Sequence, residues 1–368
     1  MKLLDERMYK QSKGGRHIFS NEPKARIGIV GLQSWVHAIP LARYCMSSEN
    51  YELVGIVDET TQLEGFGREF KFDRLYSNID SFLENKDIDA LIVTKQVIDN
   101  ENVIKKAAEH RINVLCDKPM AVDGKGAERI LRIAQESRIK LGMLHNHRFS
   151  PTLIELKKRI DSDIIGKPKS ISYSIRAPLP EEFYGCGLPG WYADKQRFGG
   201  GGFIDHGAHI IDTICWFLGK DIISVSAQMA NLIHKDLAVE DYGVALITYK
   251  SGIIATVESA WTLPASLGWS EVIQIIGDRG EIVASRVQHP NVCIRANMTN
   301  FNSPISYDVS DPAEPEEWTE NLKKVLDNFI GYIRGREDLQ SPPEDAVTTM
   351  QVIDAAYKSA DFARAIML

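Results

Sequence analysis

The chain has few cysteines and no long apolar run, and both features limit the classes of protein to which it can belong. Only five cysteines occur in 368 residues, and they form no CxxC pair and stand far apart in mostly apolar segments. This usage argues against a disulfide framework and for reduced thiols, so we expect a cytoplasmic protein. No stretch approaches the roughly 18 apolar residues of a membrane span, and the start of the chain lacks the apolar core of a signal peptide. We therefore expect no membrane partner.

The chain also lacks a block of like charge. Its formal net charge of −7 arises from 43 basic and 50 acidic residues that are interspersed. Nucleic acids and anionic membranes bind concentrated positive charge, so neither is an expected partner. With 44% hydrophobic residues the chain can bury the cores of two domains. Its partners are expected to be small molecules.

Short apolar strands alternate with amphipathic helices over residues 24–146. Strands are predicted at 26–31, 52–57, 90–94 and 113–116, with helices at 35–46, 99–110 and 124–137. A further strand beginning at Leu141 is expected to carry His145 and His147 on one face. This alternation predicts a Rossmann-like, doubly wound parallel sheet, which binds its ligand beyond the carboxyl ends of its strands. Residues 1–23 are interpreted as an N-terminal extension.

The turn after the first strand carries part of a dinucleotide fingerprint. Gly31 begins the G-x-G-x-x-G pattern, but Gln33 stands at the second glycine and Val36 at the third. Asp58 follows the second strand where an acid would accept from the adenosine 2′-hydroxyl and repel a 2′-phosphate, which favours NAD over NADP. The alternative is a strand-end aspartate that caps the next turn. The predicted nucleotide contacts are Gly31, Gln33, Ser34, Trp35, Asp58, Thr94, Lys118, Pro119 and His147.

A lysine stands directly past the strand at 113–116, in the sequence Asp117-Lys118-Pro119. Because the following proline favours an extended backbone at Lys118, its ammonium is expected to project into the ligand crevice beside a nicotinamide. There it could act as an acid or as a clamp on an oxygen. The alternative is a solvated turn lysine.

Residues 199–212 hold the densest set of chemical groups in the chain. Four glycines precede a helix that is predicted to end near Gly219, and Asp205, His209 and Asp212 share one face of it. Asp205 is expected to orient the His209 imidazole and to raise its pKa, while His206 projects elsewhere. The alternative is a glycine turn capped by Asp205, with His209 as a packing residue.

These two motifs together, Asp-Lys-Pro and the later Gly-Gly-Gly-x-x-x-Asp-x-Gly-x-His-x-x-Asp, resemble those of the Gfo/Idh/MocA oxidoreductase family. The resemblance implies that Lys118, Asp205 and His209 form the catalytic group. It also implies a homodimer or homotetramer that associates through an open sheet face. This sequence departs from the family pattern at Gln33 and Val36, which stand where glycines are expected. It also departs at Asp117, where the family usually has glutamate.

The second half of the chain, residues 147–368, is predicted to form a mostly antiparallel sheet domain, and the resemblance implies that one face of this sheet is open. Strands are predicted at 169–176, 222–229, 242–249, 253–261, 271–276 and 281–285, and helices at 152–160, 315–334 and 343–366. Loop aromatic and basic residues, Tyr184 among them, suit stacking on a sugar ring. The predicted substrate contacts are Lys118, His147, Arg148, Trp191, Tyr192, Arg197, Asp205 and His209.

The leading hypothesis is an NAD-dependent oxidoreductase that takes hydride from a secondary hydroxyl of a sugar, glycoside or cyclitol. His209 or Lys118 would accept the hydroxyl proton. One alternative is a glycosidase that retains NAD and acts by transient oxidation, and another is a non-catalytic NAD-binding sensor. A third is metal-dependent hydrolysis by His145, His147, His209 and Asp205. Because their spacing matches no compact zinc motif, no metal is expected.

Overall fold

The computed structural model describes residues 22–60, 62–84, 87–180, 190–286, 291–296, 305–307 and 315–368. Residues 1–21 of the predicted extension at 1–23 therefore lie outside the described residues, and so does Tyr184. In the described part of the chain, no helix is both long enough and apolar enough to cross a membrane.

Six parallel strands form the first sheet, in the order β3-β2-β1-β4-β5-β6. Its strands are β1 (Ala25–Val30), β2 (Tyr51–Val57), β3 (Leu75–Tyr76), β4 (Ala90–Val93), β5 (Asn113–Cys116) and β6 (Leu141–Met143). Its helices are α1 (Trp35–Ser47), α2 (Gln62–Phe70), α3 (Ile79–Leu83), α4 (Asn100–Glu109) and α5 (Gly124–Ser137). The predicted Rossmann-like sheet is confirmed.

Three elements between β2 and β4 were absent from the sequence prediction. Strand β3 has two residues and α3 has five, so neither is long enough to show a periodic apolar pattern. Helix α2 contains Gly65 and Gly67, residues of low helix propensity.

Nine strands form the second sheet, in the order β14-β13-β12-β11-β7-β10-β9-β8-β15. Its strands are β7 (Pro168–Arg176), β8 (Ile222–Ala230), β9 (Tyr242–Tyr249), β10 (Ile254–Ala260), β11 (Ser270–Gly277), β12 (Gly280–Arg286), β13 (Asn291–Ala296), β14 (Ile305–Tyr307) and β15 (Ile366–Met367). The remaining helices are α6 (Pro151–Asp161), α7 (Lys195–Phe198), α8 (Gly202–Leu218), α9 (Pro315–Ile333) and α10 (Pro343–Phe362). Strands β7 and β10 are parallel and the other described pairs are antiparallel, which confirms a mostly antiparallel sheet.

Residues alternate between the two faces of this second sheet. On β7, Ile171, Tyr173 and Ile175 are buried in one core with residues of α8 and α10. The opposite face leaves Leu246 of β9 and Ile254 of β10 about half exposed. This arrangement matches the open-faced sheet that was predicted.

Helix α9 returns the chain to the first sheet. Its residues Leu326 and Phe329 are buried with Ile27 and Ile92, so α9 covers one face of the parallel sheet although it follows the second sheet in sequence. Residues of α4 and α5 are buried against the other face. The predicted domain limits of 24–146 and 147–368 stay predictions.

Candidate active site

Lys118 and Asp205 form a buried ion pair between the two motifs. Lys118 Nζ lies 2.7 Å from Asp205 Oδ1 and 3.1 Å from the Asp205 carbonyl oxygen. Only 8% of the Lys118 side chain and 6% of the Asp205 side chain are exposed. Lys118 is thus not a solvated turn lysine. The next residue, Pro119, follows a cis peptide bond, and its carbonyl oxygen accepts from Asn100 Nδ2 at 3.3 Å.

Asp117 positions Lys118 from the other side. Its Oδ1 accepts from the Lys118 backbone N–H at 2.7 Å, and its Oδ2 lies 2.7 Å from His37 Nδ1 on α1. Burial acts to raise the pKa of Asp117, but His37 and Lys118 outweigh burial and hold that pKa below its usual value. Asp117 therefore links α1 to Lys118.

The glycines before α8 allow this helix to begin where neighbouring atoms leave no room for a side chain. A Cβ on Gly200 would lie 1.9 Å from Tyr357 Oη, and one on Gly201 would lie 2.1 Å from the Glu240 carbonyl oxygen. Glu240 Oε1 accepts from the backbone N–H groups of Gly201 and Phe203 at 2.9 and 3.0 Å, and from Tyr357 Oη at 2.7 Å. Glu240 thus anchors the start of α8. Sequence reasoning missed it because it lies 39 residues from Gly201.

Asp205 is held as a carboxylate. Its Oδ2 accepts from Trp261 Nε1 at 2.9 Å and lies 3.4 Å from His206 Nε2. Burial acts to raise the pKa of Asp205, yet His206 and the Lys118 ammonium hold that pKa well below its usual range. The prediction that His206 projects elsewhere is wrong. The centroids of the His206 and Trp269 rings lie 4.6 Å apart in an edge-on arrangement. Burial lowers the pKa of His206 to about 4.

Two other histidines surround His209. The His147 ring stacks on His209 with centroids 4.1 Å apart and an interplanar angle of 11°, and the His145 ring stands perpendicular at 6.2 Å. The prediction that His145 and His147 alternate on a strand is wrong, because β6 ends at Met143 and residues Asn146–Phe149 form a 3₁₀ turn. The turn nevertheless brings both rings to His209.

The prediction that Asp205 raises the pKa of His209 is also wrong. Burial lowers the pKa of His209 well below its usual value, and the neighbouring His147 and Lys118 lower it further. Asp205 is engaged by Lys118 and Trp261 instead. His209 is therefore a neutral imidazole near neutral pH.

Arg148 and Asp212 belong to a structural network. Arg148 Nε and Nη2 donate to the two Asp212 carboxylate oxygens at 2.8 and 2.7 Å, Nη2 also donates to Asp345 at 2.7 Å, and Nη1 donates to the Gln340 carbonyl oxygen at 2.8 Å. The Arg148 side chain is 2% exposed. This placement gives no support to the predicted substrate contact of Arg148, because its guanidinium links α8 and α10.

The predicted sugar-stacking residues lie in a packing cluster. The rings of Trp191 and Tyr192 stack at 4.0 Å, and both pack edge-on against Phe198. Trp191 is 2% exposed, so this cluster offers a sugar no open ring face. Arg197 is about half exposed and contacts Asp194. Direct substrate contacts by these residues stay predictions.

The turn after β1 fits a dinucleotide in spite of its missing glycines. Gly31 has a φ of +96°, and a Cβ there would lie 2.7 Å from the Lys95 backbone nitrogen, so only glycine suits this position. Thr94 Oγ1 donates to the Gly31 carbonyl oxygen at 2.6 Å, and the Ser34 N–H donates to the Thr94 carbonyl oxygen at 3.0 Å. Trp35 begins α1, whose first turn has no acidic residue. This helix N-terminus suits a pyrophosphate.

Asp58 lies at the end of β2 as predicted, but its carboxylate is already engaged. Oδ2 accepts from the Leu32 N–H at 2.5 Å and from Gln33 Nε2 at 3.0 Å. Oδ1 accepts from the Thr60 N–H at 2.7 Å and from the Thr60 hydroxyl. The predicted direct contact of Asp58 with an adenosine ribose would require one of these donors to leave.

The alternative of metal-dependent hydrolysis needs a ligand cluster. Across the described ranges, no group of three or more His, Cys, Asp or Glu side chains is arranged to hold a metal ion. His145, His147, His209 and Asp205 lie in the same region without forming such a group. This hypothesis therefore gains no support from the geometry.

Comparisons with known proteins match both halves of the chain. A model of the GFO/IDH/MocA oxidoreductase family with an NAD-binding Rossmann fold matches residues 25–145, and a model of the GFO/IDH/MocA C-terminal domain matches residues 153–283. The myo-inositol 2-dehydrogenase of Thermotoga maritima is 22% identical over 349 residues, covering 93% of this chain and 98% of that protein. The D-glucoside 3-dehydrogenase of Escherichia coli is 21% identical over 353 residues, covering 91% and 95%.

The fold is also shared with a solved structure. An oxidoreductase from Agrobacterium radiobacter in complex with NAD⁺, L-tartaric acid and magnesium superposes with a TM-score of 0.80 at 19% identity. The match covers 94% of this chain and 98% of that chain. It extends across both sheets.

The Arg148 network predicts a stability effect. Arg148→Met leaves the buried carboxylate of Asp212 and the partly buried carboxylate of Asp345 without this partner, so we expect a loss of about 3 to 5 kcal/mol in the free energy of unfolding. Urea unfolding measures it. The matched control is Arg176→Met, since Arg176 pairs with Glu258 and is 42% exposed; that change should cost about 1 kcal/mol or less. Equal losses in both variants would contradict the structural role.

Proposed function

The chain belongs to the Gfo/Idh/MocA family of oxidoreductases, with an NAD-binding Rossmann domain, and on this premise we propose that it oxidises a secondary hydroxyl of a sugar, glycoside or cyclitol. The myo-inositol and D-glucoside dehydrogenases that resemble it over nearly their whole length support this substrate class. NAD supplies the hydride acceptor when it is bound. The chain must bind the alcohol, orient it and remove its proton.

The ion pair of Lys118 with Asp205 is the observation that carries the proposal. It places a lysine from the end of β5 against a carboxylate on α8 at 2.7 Å, at the carboxyl-end edge of the parallel sheet. Ligands of doubly wound sheets bind at this edge. Lys118 is proposed to hold the reacting oxygen by hydrogen bonding, while Asp205 fixes the direction of the ammonium.

His209 is proposed as the base that accepts the hydroxyl proton. Only a neutral imidazole can accept a proton, and burial favours that form by lowering the pKa of His209. Its stacking on His147 holds the ring in one orientation. The proton would then move from the substrate oxygen to an imidazole nitrogen.

The imidazole nitrogens that make no hydrogen bond support a substrate rich in hydroxyl groups. Within the described residues, His209 Nδ1 and both ring nitrogens of His145 and of His206 are buried without a hydrogen-bond partner. A neutral imidazole has one donor and one acceptor, which is also what a hydroxyl group offers. A neutral polyol would satisfy these atoms and would need no additional charged residue.

The role of Lys118 predicts a kinetic defect with intact cofactor binding. Lys118→Ala should lower kcat by about 10²-fold to 10⁴-fold, because the clamp on the reacting oxygen is lost. The dissociation constant of NAD should change little. NADH absorbance with a panel of cyclitols, hexoses and glycosides measures the rate, and Lys125→Ala on the exposed side of α5 is the control. Near-native turnover by Lys118→Ala would refute the role.

The base assignment predicts a pH profile. Because the pKa of His209 is lowered, its neutral form persists as the pH falls, so the acid limb of kcat should lie below the ordinary imidazole value of about 6.5. His209→Asn should lose about 10²-fold to 10⁴-fold in turnover together with that limb. Deuterated substrate tests whether hydride transfer limits the rate, and His110→Asn, at an exposed histidine, is the control. An unchanged acid limb in His209→Asn would assign the base to another group.

We propose further that the chain forms a homodimer or homotetramer through the open face of the second sheet. Leu246, Ile254 and Ile276 lie on that face and are 42% to 49% exposed. The strand registers align Ile254 with Ser170 and Ser170 with Ile276. Leu246 lies opposite Thr256, two residues from Ile254 on the same strand face, so the three aliphatic side chains share one surface. We also propose a cytoplasmic location, which the free buried thiols of Cys45, Cys116 and Cys215 support.

The proposed assembly predicts sensitivity to charge on this face. Leu246→Glu should lower the mass measured by light scattering, because a carboxylate would be buried in the interface. Met46→Glu, at a residue of α1 that is 42% exposed, should leave the mass unchanged. A monomeric native protein, or an assembly that tolerates Leu246→Glu, would contradict the proposed interface.

A further inference from the structure

Gln33 and Asp58 form a hydrogen-bonded pair at the predicted adenosine end of the nucleotide site. We propose that Gln33, and not Asp58, contacts the adenosine ribose of NAD: Gln33 Oε1 accepts a hydrogen bond from a ribose hydroxyl, and Asp58 is the positioning residue that holds the Gln33 amide. This inference rests on the proposed NAD dependence and adds to it the residue that distinguishes NAD from NADP.

Asp58 has no free lone pair for a ribose hydroxyl. A carboxylate offers about four acceptor positions, and Asp58 uses four for Leu32 N–H, Gln33 Nε2, Thr60 N–H and the Thr60 hydroxyl. A direct contact between Asp58 and the ribose would have to break one of these four hydrogen bonds.

Gln33 has the complementary property, an acceptor without a donor. Its Nε2 must face Asp58, because the reverse amide orientation would place Oε1 against a carboxylate oxygen. Oε1 is thereby directed away from that carboxylate, and among the described residues it has no hydrogen-bond partner. Gln33 is 4% exposed, and a buried acceptor of this kind is destabilising unless a donor reaches it. The missing partner is an O–H or N–H donor.

The position of Gln33 points to the ribose as that donor. Gln33 stands two residues after Gly31, where a complete fingerprint has its second glycine and the chain approaches the nucleotide. Its side chain reaches the end of β2, where dinucleotide-binding proteins place the acid that reads the ribose. A ribose hydroxyl can donate to Oε1, whereas a 2′-phosphate offers acceptor oxygens and carries negative charge toward Asp58. The pair therefore favours NAD.

Binding measurements with altered nucleotides test the proposal without any turnover. Calorimetry gives the dissociation constants of NAD, 2′-deoxy-NAD, 3′-deoxy-NAD and NADP for the native protein, Gln33→Met and Gln33→Gly. Gln135→Met, at an exposed residue of α5, is the matched control. Thermal unfolding of each variant shows whether it is folded. If Gln33→Met does not fold, Gln33→Gly, which restores the fingerprint glycine, provides the same binding measurements.

We expect removal of the Gln33 amide to weaken NAD binding by about threefold to tenfold, the effect of one lost hydrogen bond. In the native protein, one of the two deoxy nucleotides should bind more weakly than NAD by a similar factor. That difference should disappear in both Gln33 variants and persist in Gln135→Met. The preference for NAD over NADP should narrow only in the Gln33 variants.

Two results would overturn this inference and leave the proposed function intact. One is undiminished NAD affinity in Gln33→Met together with an unchanged deoxy penalty, which would mean that ribose binding does not depend on the Gln33 amide. The other is a native protein that binds NAD and both deoxy nucleotides equally well. A native protein that binds no NAD would overturn the proposed function as well, so the two failures are distinguishable.

Discussion

The buried ion pair between Lys118 and Asp205 is the contact on which the rest of the site depends. It joins residues 87 positions apart in sequence, one at the tip of β5 and the other on α8. Two buried charges lose their hydration, and their mutual attraction compensates only when the geometry is held closely. Asp117 holds the lysine from one side, and Glu240 anchors the helix that carries the carboxylate. The surrounding structure is thus arranged to keep this pair together.

The same enclosure sets the charge state of the neighbouring histidines. Burial lowers the pKa values of His145, His206 and His209, so one ion pair lies among neutral imidazoles. Neutral rings can accept a proton and can bind hydroxyl groups, and both properties suit the oxidation of an alcohol. A carboxylate bonded to His209 would have favoured imidazolium and weakened that capacity.

The turn after β1 keeps its geometry although Gln33 and Val36 replace two of the three fingerprint glycines. Gly31 remains because its positive φ and the close approach of Lys95 exclude a side chain. The second glycine position tolerates Gln33, whose amide donates to Asp58. A side chain therefore occupies space that a complete fingerprint leaves to the backbone and the ligand.

Strand alternation and helix periodicity are local patterns, so they were enough to predict the parallel sheet and the mostly antiparallel sheet. The two motifs identified Lys118, Asp205 and His209 as candidates. The partners of these residues depend on how the elements pack: His206 and Trp261 contact Asp205, His147 stacks on His209, and Glu240 anchors α8. These contacts mostly join residues far apart in sequence, and pKa values follow from burial. No local pattern encodes either, since both arise only when separate elements pack.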